Sequence, residues 1–301
     1  MTGARGLSVR LFLADGAPGG IVTAEIMNWT GHVLSAPRAA LARALGRDEA
    51  GKTGVYFLIG EVEDSLGRRR VYVGESDEVG RRVAEHAADP AKDFFERFVL
   101  VTSKDQNLTK AHARYLENRL AAIARESRRA ILDNRTDPAS GALPESDVAD
   151  MEFFIAQTRL IMPVLGHDFL REPAIAREAS PGALELYLES PKKGLRAEAV
   201  MTDDAFVVRA GSTAAPTPRG GGRSGAAGHA ALRAQLAAEG VLAPDRDGRA
   251  LRFAQDFAFS SSGAAASVIH GRSANGRIAW RLKGSGATLR QHEEAQTEGR
   301  A

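Results

Sequence analysis

The chain has 301 residues, 26% of them charged and 44% hydrophobic. This length and composition suit a globular protein of two domains, with room for a third small one. It contains no cysteine, which excludes a disulfide framework and any metal site built on thiolates. It shows neither a signal-peptide pattern nor an apolar run near the ~18 residues of a membrane span. We therefore expect a cytoplasmic protein without a membrane partner.

The net charge of +2 conceals an uneven distribution of charge along the chain. Residues 139–191 carry 3 basic and 9 acidic side chains, whereas residues 192–301 carry 16 basic and 10 acidic ones. A basic C-terminal region favours a polyanionic partner. An ordinary solvated surface accounts for the same count equally well, so charge alone does not decide between the two interpretations.

The first 50 residues predict a β-hairpin followed by a helix. Residues 7–12 and 21–27 alternate as strands do, with turn residues between them. A helix over 37–45 should follow, with Ser35 as its cap and Pro37 near its first position. This part either completes the sheet of the next domain or forms a module of its own, and Trp29 is expected to be a packing residue.

The segment from Gly54 to His86 holds the clearest pattern in the chain. Two short β-rich runs, 55–59 and 71–73, are separated by a polar connection and are bracketed by glycines. After Gly74 the period changes to that of a helix, predicted over 78–87, on which Arg82 and His86 share one face. A strand over 95–102, a helix over 108–128 and a turn at 133–134 complete a small mixed sheet flanked by helices.

The ordered residues of this segment resemble the GIY-YIG nuclease family. The resemblance covers Gly54 to Pro138, less than a third of the chain, and it is carried by GVY, YVG, an arginine ten residues after the second tyrosine and a histidine four residues later. A glutamate on the next long helix and an asparagine after that helix continue the pattern. The matching residues are Tyr56, Tyr72, Arg82, His86, Glu117 and Asn134.

The resemblance implies a role for each of these residues in phosphodiester hydrolysis. Glu117 would hold one Mg²⁺, or Mn²⁺ as an alternative, and a lone carboxylate suits a cation that keeps several waters. Arg82 would bind a nonbridging phosphate oxygen. Tyr56 would be the general base, provided that Arg82 and the metal lower the pKa of its phenol.

The remaining roles follow from the same resemblance. Tyr72 would orient water or phosphate, and His86 would move the proton away from Tyr56. Two of the positions also fit an ordinary structural role. Glu117 could pair with Arg114 or Lys110 on the surface of its helix, and Asn134 could be a turn residue.

Residues 139–191 predict an acidic helical connector, with a helix over 145–164 that packs on the catalytic domain or mediates self-association. Residues 192–290 predict a basic α+β module. It should begin with a hairpin joined at Asp203–Asp204, followed by a linker over 213–228 and a helix from His229. A pair of short strands over 251–260 should come next, and then a last helix, a turn and a strand that carries Trp280. Residues 291–301 would be a tail.

This C-terminal region resembles an uncharacterised domain that often follows GIY-YIG domains. Its SSGAAASVI and SANGRIAWRL strings also resemble a small module found beside restriction and DNA-modification enzymes. We expect it to bind DNA, although its basic side chains could equally form a solvated rim. The candidate contacts are Arg272, Asn275, Arg277, Arg281 and Lys283.

The sequence thus predicts an α+β protein with domains at 1–50, 51–138, 139–191 and 192–290. The predicted function is a Mg²⁺-dependent endonuclease that cuts DNA. The alternative is a non-catalytic nucleic-acid-binding or sensing protein built on a nuclease fold.

Overall fold

The computed structural model describes residues 6–62, 68–134, 143–171, 182–202, 205–216, 224–245 and 247–298. The chain divides into two compact units, Met1–Arg171 and Glu172–Ala301. Both units combine helices with sheets, so the predicted α+β class is confirmed. In the part of the chain that the structure describes, no helix is both long and apolar enough to cross a membrane.

The first unit is built on one seven-stranded sheet in the order β1-β2-β3-β6-β4-β5-β7. All its pairings are antiparallel except that of β5 with β7. The strands are β1 (Val9–Leu13), β2 (Val22–Ile26), β3 (Gly31–Pro37), β4 (Gly54–Gly60), β5 (Arg69–Ser76), β6 (Arg97–Ser103) and β7 (Ala130–Leu132).

Helices cover both faces of this sheet, because the strands bury side chains alternately on either side. On one face lie α1 (Leu41–Leu45) and α2 (Val79–Ala87). On the other lie α3 (Lys110–Ser127) and α4 (Glu145–Val164). All seven residues of β4 are buried, since this strand runs between β5 and β6 under helices on both faces.

Most predicted elements of this unit are confirmed, but the N-terminal region differs in two respects. Residues 31–37 form β3, which the sequence pattern does not predict, so Pro37 ends a strand and the helix proper starts only at Leu41. Ser35 is not a helix cap: it is a buried strand residue 3.4 Å from Nε2 of His167. The N-terminal hairpin completes the sheet, and Trp29 is buried with its ring 4.9 Å from that of Phe154.

Helix α4 packs on this sheet through most of the residues predicted for its apolar face. Met151, Phe154 and Ile155 are buried in the core, as expected. Leu160 differs from this prediction because it is 51% exposed, and Phe153 and Val164 are exposed as well. The connector region is therefore part of the first unit up to Arg171.

The second unit holds a five-stranded sheet, in the order β14-β10-β9-β8-β15, and a three-stranded sheet, β11-β13-β12. The strands are β8 (Leu184–Ser190), β9 (Leu195–Thr202), β10 (Ala205–Val208), β11 (Thr213–Ala214), β12 (Leu242–Pro244), β13 (Leu251–Phe253), β14 (Phe257–Phe259) and β15 (Arg281–Leu282). The helices are α5 (Ser224–Ala238), α6 (Ser262–His270), α7 (Gly276–Ala279) and α8 (Leu289–Glu298).

The boundary predicted at residue 192 differs from the structure. It falls inside the hairpin of β8 and β9, which pair along their whole length from Leu184–Met201 to Ser190–Leu195. The two strands predicted over 251–260 do not pair with each other, because β13 joins β11 and β12 while β14 joins β10. The turn at Asp203–Asp204 and residues 217–223 of the predicted linker lie outside the described residues. The ends of that predicted linker are not a loop, because they form β11 and the start of α5.

The C-terminal end of this unit is organised around Trp280. The indole is fully buried, its ring lies 5.0 Å from that of Phe206, and its Nε1 donates to the carbonyl of Ser262 at 3.1 Å. The predicted last strand is confirmed only as β15, which begins one residue after Trp280. Residues 291–298 of the predicted tail belong to α8, and residues 299–301 lie outside the described residues.

Candidate active site

The two motif tyrosines lie side by side because β4 and β5 pair antiparallel. Tyr56 on β4 is directly opposite Gly74 on β5, and both Tyr56 and Tyr72 face the α2 layer. A Cβ added at Gly74 would lie 2.3 Å from the Tyr56 hydroxyl, so only glycine leaves room for this ring. The ring centroids of the two tyrosines are 6.2 Å apart.

Helix α2 brings His86 to both tyrosines. Its Nε2 lies 2.8 Å from the Tyr56 hydroxyl, and its ring meets that of Tyr72 edge-on at 5.3 Å. Burial lowers the pKa of His86 to about 4, with the charges of Arg82 and Lys92 acting in the same direction. His86 is therefore neutral at pH 7 and can accept a proton at Nε2.

Burial has the largest effect on the pKa of the Tyr56 phenol. It raises the pKa of Tyr56 above its usual value, and the neighbouring Tyr72 adds to the rise, while Arg82 opposes it. The expectation that cations would lower this pKa therefore fails for the protein by itself, since Arg82 does not outweigh burial. Tyr56 is a neutral phenol beside a neutral imidazole.

The structure separates the two neighbouring arginines of α2. Arg81 is exposed and pairs with Glu78 at 3.1 Å and Glu85 at 2.8 Å. Arg82 also pairs with Glu85, at 2.7 Å, but it lies close enough to Tyr56 for its charge to act on the phenol. The structure thus places Arg82, and not Arg81, with the tyrosines.

Helix α3 places Glu117 beside a second carboxylate, that of Glu75 on β5. Lys110 approaches Glu75 at 2.6 Å and Arg114 approaches it at 3.7 Å, so these two cations bind Glu75 rather than Glu117. Among the described residues Glu117 has no ion pair or hydrogen bond through its side chain. Burial, reinforced by the charge of Glu75, raises the pKa of Glu117 to about 7.

Asn134 binds the backbone of β5. Its Oδ1 accepts from the Val73 amide at 2.9 Å and its Nδ2 donates to the Val73 carbonyl at 2.7 Å. The β5–β7 pairing ends at Val71 and Leu132, so this side chain continues the pattern of hydrogen bonds two residues further along β5. Asn134 thereby fixes the strand between Tyr72 and Gly74, and in the described part of the chain its side chain forms no hydrogen bond to the other predicted site residues.

Three polar residues that the sequence pattern did not assign to the site form one ion-pair cluster, which meets Tyr72 through Lys92. Lys92 places its Nζ 3.6 Å from the centroid of the Tyr72 ring and 2.5 Å from Oδ2 of Asp133. Asp133 also accepts from Nε of Arg70 at 2.9 Å. These residues come from three distant segments, so spacing along the chain gives no signal for them, whereas Glu75 directly follows the YVG tripeptide and could have been found.

The donor set fits a hard divalent cation only in part. Glu75 and Glu117 offer carboxylate oxygens, but the described residues contain no group of three or more metal-ligating side chains. Mg²⁺ keeps most of its waters and needs one or two carboxylates from the protein. The pair is therefore compatible with Mg²⁺ and unsuited to a metal held by side chains alone.

Most of the basic residues predicted to bind DNA are engaged within the second unit. Arg277 pairs with Glu293 at 2.5 Å and Lys283 with Glu198 at 2.8 Å. Arg281 donates to the carbonyl of Gly286 at 2.9 Å. Asn275 accepts from the amide of Arg277 at 3.1 Å and so caps α7.

Arg272 differs from these residues. It is exposed, and its side chain has no hydrogen bond or ion pair with the described residues. Around α7 and β15, two of the four predicted basic residues, Arg277 and Lys283, are therefore neutralised by carboxylates, whereas Arg281 and Arg272 are not.

Comparison with known proteins gives a family for this second unit. Residues 186–293 match the model of a domain of unknown function, DUF4357. No curated protein and no solved structure matches the chain. The DUF4357 match confirms the predicted likeness of the C-terminal region to an uncharacterised domain, with bounds that take in most of β8 and the first half of α8. It does not extend to residues 54–138, so the resemblance of this segment to the GIY-YIG family stays a prediction.

Proposed function

We propose that the chain is a Mg²⁺-dependent endonuclease of the GIY-YIG type that hydrolyses DNA phosphodiester bonds. The observation that carries this proposal is the hydrogen bond of 2.8 Å between Tyr56 and His86, with Arg82 beside it. The unpaired carboxylate of Glu117 lies close enough to raise the pKa of both motif tyrosines. Groups from two strands and two helices meet here, and perturbed pKa values of this kind cluster at functional sites.

Glu117 is the residue that would hold Mg²⁺, with Glu75 as its neighbour. The raised pKa of Glu117 means that its negative charge is poorly compensated by the protein, and a divalent cation would supply the compensation. When bound, Mg²⁺ would polarise the phosphate and lower the pKa of a coordinated water. Mn²⁺, which takes the same oxygen ligands, would replace it.

Tyr56 and His86 would move the proton of the attacking water together. The water gives its proton to the Tyr56 oxygen while the phenol passes its own proton to Nε2 of His86, so no free phenolate forms. This relay suits a tyrosine whose pKa is raised and an imidazole that is neutral at pH 7. The new P–O bond forms from the water oxygen, and the leaving oxygen departs with the electrons of the broken P–O bond.

Arg82 would bind a nonbridging oxygen of the scissile phosphate, where negative charge grows in the transition state. Its present partner is Glu85, an exposed carboxylate at 2.7 Å. A phosphate oxygen accepts a charge-assisted hydrogen bond from a guanidinium as a carboxylate oxygen does. DNA binding would therefore exchange Glu85 for phosphate, while Arg81 continues to hold Glu85 from the solvent side.

The second unit would aid DNA binding, as its basic excess suggests. Arg272 is the member of the predicted set whose charge is available to a phosphate, and Arg281 is the next candidate, since it donates to a neutral carbonyl. Contacts of this kind would release counterions and would make affinity depend on salt.

Incubation of the purified protein with supercoiled plasmid tests the proposal. We expect nicked and linear products with Mg²⁺ or Mn²⁺, none with EDTA, and product at a rate at least about 100-fold lower from a Tyr56→Phe variant of unchanged circular dichroism. Plasmid binding without cleavage in any of these cations would favour the alternative function, a nucleic-acid-binding or sensing protein.

A further inference from the structure

The outer strand β1 of the first unit is exposed on both of its faces. Leu11, Phe12 and Leu13 are 46%, 58% and 39% exposed, and β2 is the only strand that pairs with β1 among the described residues. Soluble proteins usually protect such an edge with charges, proline or a bulge. The sole charge within β1, Arg10, does not do so, because it is turned towards Glu25 of β2 at 3.0 Å.

The backbone of β1 presents a regular set of open hydrogen-bonding groups. The amide of Ala14 donates to the carbonyl of Ile21 at 2.9 Å, in register with the β1–β2 pairing. Backbone groups along a strand alternate in direction, so Phe12 and Arg10 bond to β2 while the amides and carbonyls of Val9, Leu11 and Leu13 point outward. The outer edge can thus accept another strand over its full length.

We propose that this edge pairs with β1 of a second copy of the chain, antiparallel and about a two-fold axis at Leu11. In this register Leu11 faces Leu11 of the second copy and Val9 faces Leu13, so one face is wholly aliphatic. On the other face Arg10, which is held by Glu25 of its own β2, lies opposite Phe12 of the second copy, so no like charges are opposed there. The three outward-facing positions would exchange about six backbone hydrogen bonds.

The self-complementarity of the strand is what identifies the occupant. Centring the axis on Leu11 aligns all five residues of β1 and opposes no like charges, whereas centring it on Val9 or Leu13 aligns fewer residues. The pairing would join two seven-stranded sheets into one continuous sheet. Because β5 lies near the opposite end of each sheet from β1, both copies would keep the Tyr56 region open.

The absence of cysteine from the chain permits a direct test of this register. Directly opposed residues of a hydrogen-bonded antiparallel pair have Cα atoms about 5.5 Å apart, within the range that a disulfide bridges. Mild oxidation of the full-length Leu11→Cys variant should give a covalent dimer, formed about tenfold faster than with Phe12→Cys or with Leu160→Cys on the exposed side of α4. Equal rates for Leu11→Cys and Leu160→Cys would overturn the proposal.

Sedimentation of the unmodified chain completes the test. We expect a dimer at tens of micromolar concentration, a monomer for Leu11→Lys, which would oppose two lysines at the axis, and a dimer for the matched Leu160→Lys. Circular dichroism checks that each variant is folded, as expected for substitutions of exposed side chains. A monomeric unmodified chain, or a dimer broken by Leu160→Lys and not by Leu11→Lys, would refute pairing through β1.

Discussion

The two units of the chain treat their charged side chains in opposite ways. In the first unit, Glu117 is left beside Glu75 without a cationic partner, and its pKa is raised to about 7. In the second unit, Arg277 and Lys283 have carboxylate partners at 2.5 and 2.8 Å. The positive excess of the second unit is therefore less available to a ligand than the sequence suggests, whereas the poorly compensated carboxylate Glu117 lies in the first unit. A count of charges does not measure the charge that is available for binding.

The largest effects should come from the proton relay of the first unit. We expect Tyr56→Phe and His86→Ala each to reduce the cleavage rate about 10²- to 10⁴-fold, the usual contribution of a positioned acid or base. Because the two residues act in one step, the double variant should lose no more than the worse single variant. The matched control is His112→Ala, which removes an imidazole that caps α3 outside the site. Multiplied losses in the double variant, measured as single-turnover rates, would show that the residues act independently.

The next largest effect should distinguish the neighbouring arginines of α2. Arg82→Lys keeps the charge but loses the planar guanidinium, and we expect about a 100-fold loss of cleavage. Arg81→Lys should stay within about twofold, although it disturbs the same partner, Glu85. Initial rates on one plasmid decide the matter. The opposite ranking would mean that Arg81 faces the phosphate.

A smaller effect should appear in the pH dependence of Mg²⁺ affinity. Glu117 with a pKa of about 7 is protonated below that pH, and the cation requires the ionised carboxylate. The apparent dissociation constant for Mg²⁺, taken from the rate of nicking, should therefore rise about tenfold for each pH unit below 7. His86 should not contribute to this limb above pH 5, because its pKa is about 4. A constant Mg²⁺ affinity between pH 5.5 and 7 would contradict the assignment of Glu117.

The smallest effects should come from the second unit. Arg277→Gln and Lys283→Gln should change the affinity for duplex DNA by less than about threefold, because both cations already have partners within the unit. Arg272→Gln should reduce the slope of log affinity against log salt by about 0.9, the value for one phosphate contact. Fluorescence anisotropy over a salt series measures both quantities. An unchanged slope for Arg272→Gln, with a large change for Lys283→Gln, would reverse the comparison within this unit.

The fold of the first unit was largely predictable where side chains alternate clearly. The strands around Tyr56 and Tyr72 and the helices that carry His86 and Glu117 lie close to their predicted positions. Strand β3 was missed because GHVLSAP contains a proline and small residues that favour a turn when read alone. Its pairing with β6 along all seven residues, and with β2 on its other side, makes it a strand.

The candidate site was predictable as far as its motif and not beyond it. Tyr56 and His86 were named from the sequence, but their contact and the resulting pKa shifts depend on burial, which spacing along the chain does not encode. Lys92 and Asp133 could not have been found, because 41 residues separate two side chains that meet only in the fold. In the second unit β8 escaped detection since its acidic composition continues that of the preceding segment.

The decisive measurement is the rate of plasmid nicking by Glu117→Ala, compared with the unmodified chain over a Mg²⁺ series. A loss of folding stability should not be the cause of any loss of nicking by Glu117→Ala. Above pH 7 the ionised Glu117 destabilises the folded state, because its pKa rises from 4.5 to about 7 on folding, so removing it should raise the free energy of unfolding at pH 8 by about 1–2 kcal/mol and leave it nearly unchanged at pH 4.5. We expect no detectable nicking by Glu117→Ala at any Mg²⁺ concentration. Nicking at the rate of the unmodified chain, in the same Mg²⁺, would contradict the assignment of Glu117 as the metal ligand of a nuclease.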